Sequence, residues 1–234
     1  MAAHKTRLFA GCRKIPDSIL TLYKIMLHIT VDEKWPNARQ IARAAAIIRE
    51  GGLVVYPTDT IYGLGCDMMQ KKSVERVYQM KGKDRKHPLS FICPDLKNIA
   101  RYAVVSNIAY RLMKRILPGA YTIILPASRE VPRLMLSKTA TVGIRIPDHP
   151  VTQMLVEQLD NPIITTSVPS PENLQFSDPE EIARRLPFLD AIIDCGLIAP
   201  EPSTIIDMTT DIPRLIRQGK GSVETIPDIE IIDE

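Results

Sequence analysis

The stretch Gly51–Gly65, GGLVVYPTDTIYGLG, constrains the fold more than any other part of the chain. Its paired glycines suit a tight helix-to-strand corner, because glycine reaches positive φ at little cost. Leu53–Tyr56 is a short apolar run rich in β-branched residues and reads as a buried strand. Pro57 ends it, having no N–H to give to a ladder. Beyond the strand end, Thr58, Asp59, Thr60 and Tyr62 put hydroxyls and a carboxylate on irregular backbone. Gly63 and Gly65 are expected to keep that backbone bare for a ligand. In α/β proteins ligands gather at the carboxyl ends of strands, although Thr, Asp and Gly also build plain turns.

The rest of the chain alternates helix and strand signals. Asn37–Glu50 has apolar residues at Ile41, Ala44, Ala45 and Ile48, with Asn37 as N-cap and Gly51 at the C-terminal end. Lys72–Met80, Ser106–Ile116 and Val151–Leu159 read as further helices, and Asp178 caps another that starts near Pro179. Leu89–Cys93, Tyr121–Leu125, Thr141–Ile146, Pro162–Ser167, Ala191–Asp194, Ser203–Asp207 and Arg214–Arg217 read as strands. Such alternation predicts an α/β fold, and no linker divides it. Residues 1–30 are expected to be a poorly ordered extension with Met26 as the working start, 31–225 the domain, and 226–234 a frayed acidic tail. Pro169–Pro179 reads as a mobile or lid-like connector.

Composition narrows the function classes. Aromatics make up 5% of the 234 residues, which argues against a broad base-stacking platform. A net charge of +3 is too small to imply nucleic-acid binding, yet it permits a local basic cleft. The four cysteines are far apart with no CxxC pair, which disfavours zinc and suits reduced thiols in a cytoplasmic protein. No apolar run approaches the ~20 residues of a membrane span, and no clean secretory signal opens the chain.

Hydroxyls recur at strand ends as Thr58/Thr60, Thr165/Thr166/Ser167 and Ser203/Thr204. Cations accompany them: Lys81, Lys83, Arg85 and Lys86 against Asp84 alone, then Arg145 and Arg217. The lysine run reads either as a solvated face or as a phosphate clamp. Arg145 lies on an otherwise apolar strand, where a charge is costly unless it is paired or holds a ligand. No Walker loop, GxGxxG, HExxH or EF-hand loop occurs, and no serine–histidine–aspartate triad can be assembled. Cations and hydroxyls without a nucleophile suit chemistry on a polyanion, in which positioning and charge neutralisation lower the barrier. Nucleotidyl transfer is such a reaction.

Five motifs resemble the YrdC/YciO family. They are the Gly51–Gly65 stretch, Lys81-Gly82-Lys83 with Pro88-Leu89, Pro118-Gly119-x-Tyr121-Thr122, Val142-Gly143-x-Arg145-x-Pro147, and Pro202-Ser203-Thr204-x-x-Asp207 with Arg217-x-Gly219. The resemblance implies one α/β domain on a twisted mixed sheet with flanking helices and a basic concave cleft. It implies synthesis of threonylcarbamoyl-AMP and pyrophosphate from L-threonine, bicarbonate and ATP with magnesium, for threonylcarbamoyl modification of tRNA adenosine. By the same resemblance Thr58, Thr60, Arg145 and Ser203 bind substrate. Lys81, Lys83, Ser167 and Arg217 bind ATP, and the two lysines neutralise charge in the catalytic step. Two departures point to the YciO branch. Lys83 stands where synthases carry arginine, losing a bidentate fork, and Ser167-Val168-Pro169 stands where they carry Ser-Ala-Asn. The corresponding alternative is a protein that binds a nucleotide or double-stranded RNA with little turnover.

Overall fold

The computed structural model describes residues 26–81, 89–136, 139–168 and 176–231. Strand β1 (Leu27–Thr30) leads to helix α1 (Ala38–Arg49), whose N-cap Asn37 accepts from the Arg39 and Gln40 amides. Those are two of the donors that a helix start leaves unpaired. Ile41, Ala44, Ala45 and Ile48 are fully buried, as their spacing predicts. Gly51 follows at φ +85°, the left-handed region that closes helices easily in glycine. The chain then forms β2 (Val54–Tyr56), β3 (Gly63–Asp67), α2 (Lys71–Lys81) and β4 (Ser90–Ile92). Next come α3 (Leu96–Tyr102), α4 (Asn107–Ile116), β5 (Tyr121–Pro126), a 3-10 turn at Arg133–Met135, and β6 (Thr141–Arg145). After these follow α5 (Pro150–Leu159), β7 (Ile163–Ser167), α6 (Pro179–Arg185), β8 (Ala191–Asp194), β9 (Thr204–Asp207), β10 (Arg214–Arg217) and β11 (Glu230–Ile231).

The strands form one sheet in the order β1-β8-β2-β3-β7-β4-β6-β5-β9-β10-β11. Parallel and antiparallel ladders alternate irregularly through it, so the sheet is mixed. Side chains alternate between faces along each strand, and each face carries its own core. On one face, Ile41 and Ile48 of α1 and Val151 and Leu155 of α5 pack on Val54, Tyr56, Ile92, Ile163 and Ile193. On the other, Val74 of α2, Ile99 of α3 and Met113 of α4 share a core with Val55, Leu64, Ile144 and Ile206. Among the described residues no helix is long and apolar enough to cross a membrane.

Both ends of the fold depart from expectation. Leu27–Thr30 is a strand paired in parallel with β8, so the ordered sheet starts before residue 31. Its short LHIT sequence offers too little periodicity to be read as a strand. Toward the other end, Ile226 is buried and Glu230–Ile231 pairs with β10, so the segment after 225 is not simply a frayed tail. Residues 1–25, 82–88, 137–138, 169–175 and 232–234 lie outside the described residues. With them lie most of the supposed N-terminal extension and connector, the end of the tail, and Lys83.

Candidate active site

On the face carrying α1 and α5, the apolar cover stops at Ile92 and Ile163 among the described residues. The strands beyond present small and polar side chains. Ladder register places Ser90 opposite Gly143, Arg145 opposite Ile92, and Thr122 and Arg217 both opposite Ile205. Gly143 leaves bare backbone there, since a Cβ would approach the Ser90 hydroxyl to 2.8 Å. Four distant segments thus contribute to one polar surface.

The turn after β2 folds over this surface. Thr58 Oγ1 accepts from the Thr60 and Ile61 amides at 3.1 and 3.2 Å and donates to the Ile61 carbonyl at 2.6 Å. That closed turn carries Thr60 and Asp59 to Arg145. One terminal nitrogen of Arg145 donates to Asp59 Oδ1 and to Thr60 Oγ1, each at 2.9 Å. The other Asp59 oxygen accepts from the Asp148 amide at 3.1 Å. Arg145 is buried and Asp59 partly so, with side chains about a tenth exposed. Burial drives the Arg145 pKa down while Asp59 opposes the shift, so the pair holds the charge in place. The Nε of Arg145 is buried without a partner.

A second lip comes from the end of β10. Arg217 donates to the Ser203 carbonyl at 2.9 Å, and Ser203 Oγ shares a hydrogen bond with Thr122 Oγ1 at 2.8 Å. Thr204 Oγ1 accepts from the Gly219 amide at 2.9 Å and donates to the Gly221 carbonyl at 2.6 Å. Any side chain at Gly219 would strike Pro202 and Ser203, and one at Gly221 would strike the Tyr121 ring. The backbone is therefore pressed against β5 and β9. Lys220, held in this loop, donates across to the Asp59 carbonyl at 2.5 Å. The Arg217 pKa is lowered first by burial and then by the charge of Arg145, so the two guanidiniums share one electrostatic neighbourhood.

Thr58, Thr60, Arg145, Ser203 and Arg217 thus meet around the two lips. Ser167 is exposed at the end of β7, opposite Gly63. Lys81 is the last residue of α2, a helix belonging to the opposite core, and the chain from there to β4 runs outside the described residues. A cavity of about 430 Å³ opens beside the turn, lined by Thr58, Asp59, Gly119, His149, Leu197 and Lys220 among others. His149 is buried, which lowers its pKa and favours the neutral ring. Among the described residues no group of three His, Cys, Asp or Glu could hold a metal ion.

Two readings of the sequence change. Gly63 and Gly65 do not hold space for a ligand. The Tyr56 ring lies over them and reaches Thr165 Oγ1 at 2.6 Å, and a Cβ on Gly65 would sit 2.8 Å from the ring. A strand-end tyrosine level with a glycine on the neighbouring strand is the available signal. Sequence reasoning names Asp59 in the turn and Thr122 in a motif without giving either a role, and it misses Lys220. Arg145 in an apolar run requires a carboxylate somewhere, and Asp59 is the acid in the Gly-rich turn. Lys220 and Thr122 give no comparable signal. The Cys66 thiol is buried and pushed up to about 12, the behaviour of a small core residue rather than a nucleophile.

Comparison with known proteins identifies the family. The Sua5/YciO/YrdC family model, described as telomere recombination, matches residues 46–219. YciO of Escherichia coli K12 is 42% identical over 192 residues, covering 81% of this chain and 93% of that protein. Its crystal structure superposes with a TM-score of 0.80 at 40% identity, over 85% of this chain and 97% of that one. The threonylcarbamoyl-AMP synthase of Pyrococcus abyssi is 33% identical over 205 residues, covering 84% of this chain but 58% of the synthase. Pyrococcus abyssi Sua5 complexed with L-threonine superposes with a TM-score of 0.81 at 31% identity, over 88% of this chain and 63% of that one. The chain belongs to the Sua5/YciO/YrdC family.

Proposed function

We propose that this chain makes threonylcarbamoyl-AMP and pyrophosphate from L-threonine, bicarbonate and ATP, supplying a threonylcarbamoyl modification of tRNA. The observation that carries the reading is the meeting of Thr60, Arg145, Ser203 and Arg217 at one polar surface. The likeness to threonylcarbamoyl-AMP synthases and to threonine-bound Sua5 supports this choice of substrates.

In this reading the threonine amine attacks the carbon of bicarbonate-derived CO2, losing a proton and forming a carbamate. A carbamate oxygen then displaces pyrophosphate from the α-phosphorus. The hydroxyls of Thr60 and Ser203 orient threonine. Thr58, whose hydroxyl is fully used within the turn, holds Thr60 in place, and Arg145 faces the threonine carboxylate. Arg217, Lys81, Lys83 and Ser167 hold the nucleotide and offset the charge that moves onto pyrophosphate. Magnesium would arrive on the triphosphate, which suits an ion that keeps waters and phosphate oxygens as ligands. Arg145 must then keep a donor for the ligand while Asp59 compensates its charge.

A second reading has a specific basis: identity to YciO is 42% against 33% for the Pyrococcus abyssi synthase, and Ser167 is followed by Val168 and Pro169. Here the same surface holds a nucleotide with little turnover. Pyrophosphate release measured with each substrate omitted in turn separates the two. Release that needs threonine and bicarbonate together supports the synthase. ATP binding without threonine-dependent release supports the second reading.

A further inference from the structure

The cavity beside the turn carries chemistry that the proposed reaction leaves unused. Its volume of about 430 Å³ lies within the range of small-molecule pockets. The loops after β1, β6, β8 and β10 supply Glu33, Asp148, His149, Leu197, Ile198 and Lys220 to its lining. Thr60, Arg145, Ser203 and Arg217 do not line it. Asp59 stands between the two places, giving its carboxylate to Arg145 and its carbonyl to Lys220.

The charges around this cavity are held apart. Lys220 donates to that neutral carbonyl and joins no ion pair among the described residues. Asp148 joins none either, and Glu33 has only the His149 ring, with Oε1 3.6 Å from Nε2. All three charges act on His149, so they share one environment. The fold thus leaves a cation and two carboxylates unneutralised around one cavity. His149 itself is 3% exposed, and its Nδ1 is buried with no hydrogen-bond partner among the described residues. Such an atom is costly unless something answers it. With the ring proton on Nε2, toward Glu33, Nδ1 holds a lone pair. Leu197, 78% exposed, and Ile198 add an apolar wall.

We propose that this cavity binds a free α-amino acid with an apolar side chain, its ammonium on Glu33 and Asp148 and its carboxylate on Lys220. The Nδ1 lone pair of His149 accepts from the ammonium, and the side chain lies along Leu197 and Ile198. A nucleotide fits poorly, because its phosphates would meet two unpaired carboxylates. A diamine would bring a second cation to Lys220, and a simple carboxylic acid would leave Glu33 and Asp148 unanswered. Only a zwitterion gives each charge a partner through charge-assisted hydrogen bonds. The inference does not rest on the synthase reading, which assigns threonine to the Arg145 surface on the other side of Asp59.

The test is isothermal titration of the full chain with L-leucine and with its two halves, 3-methylbutylamine and 4-methylpentanoate. Saturable leucine binding is expected, and each half should bind about ten-fold more weakly or worse, having lost a set of charged hydrogen bonds. Lys220→Met should weaken leucine by about ten-fold or more and leave the amine as tight as before or tighter. Glu33→Gln should weaken leucine and the amine and spare 4-methylpentanoate. Both side chains are exposed, so neither variant disturbs the core. L-Threonine at equal concentration should not displace leucine, while pyrophosphate release remains the separate test of the synthase reading. The proposal is overturned by no saturable leucine binding, by unchanged leucine affinity in either variant, by a half that binds as tightly as leucine, or by displacement of leucine by threonine.

Discussion

Replacing Asp59 by alanine removes the only carboxylate that pairs with Arg145 among the described residues. It also deprives the Asp148 amide of its acceptor. Both partners of the pair are about a tenth exposed, so solvent cannot take over the role of the carboxylate. Breaking a buried pair from one side costs about 3–5 kcal/mol, because the remaining charge is left without compensation. At about 2–4 °C of melting temperature per kcal/mol for a domain of this size, the fall should be about 6–20 °C. Circular dichroism during thermal unfolding reads it directly. Asp59→Ala combined with Arg145→Met should recover much of the loss, since neither charge is then left buried. A loss below ~1 kcal/mol would place the pair in solvent and refute the claim that Asp59 holds Arg145 beneath the turn.

Other perturbations test other joints. Gly65→Ala puts a methyl 2.8 Å from the Tyr56 ring and 2.4 Å from Ile163 Cγ2. It should destabilise by about 1–3 kcal/mol, measured by urea unfolding; a neutral substitution would mean the ring does not lie over the glycines. Burial lowers the His149 pKa in the fold, so the unfolded chain takes up the proton first as pH falls. Stability should be fully present above the ordinary histidine value of about 6.5 and decline below it. Urea midpoints between pH 7.5 and 5 should show that loss in the native chain and a flatter profile in His149→Gln. Equal slopes would assign the acid sensitivity elsewhere.

Local chemistry made much of the fold legible. Asn37, the apolar spacing of α1 and the glycine at 51 marked a helix and both of its ends, because caps depend on a few neighbouring residues. The span Ser106–Ile116 read as a helix from its apolar spacing, and the structure adds that Ser106 is its N-cap, the hydroxyl accepting from the Ala109 amide. Strands β1 and β11 escaped because a short edge strand is defined by its partner rather than by its own pattern. At the candidate site, the types of residue were legible but their pairings were not. Arg145 declared itself by being a charge among β-branched neighbours, while its tie to Asp59 spans 86 positions of sequence. The Tyr56–Thr165 bond spans 109 positions, which is why the glycines beneath it read as a ligand approach in the sequence.

A threonylcarbamoyl-AMP synthase requires the polar surface joining Thr60, Arg145, Ser203 and Arg217 to be one binding site for threonine and ATP. Isothermal titration of L-threonine with and without ATP, on the native chain and on Arg217→Ala, decides the matter. Saturable threonine binding that tightens when ATP is present is expected. The tightening should fall about ten-fold or more in the variant, as for losing a charge-assisted hydrogen bond of about 1.5–3 kcal/mol. Threonine and ATP that bind without influencing each other, or an Arg217→Ala chain that behaves as the native one, would show that no shared site exists.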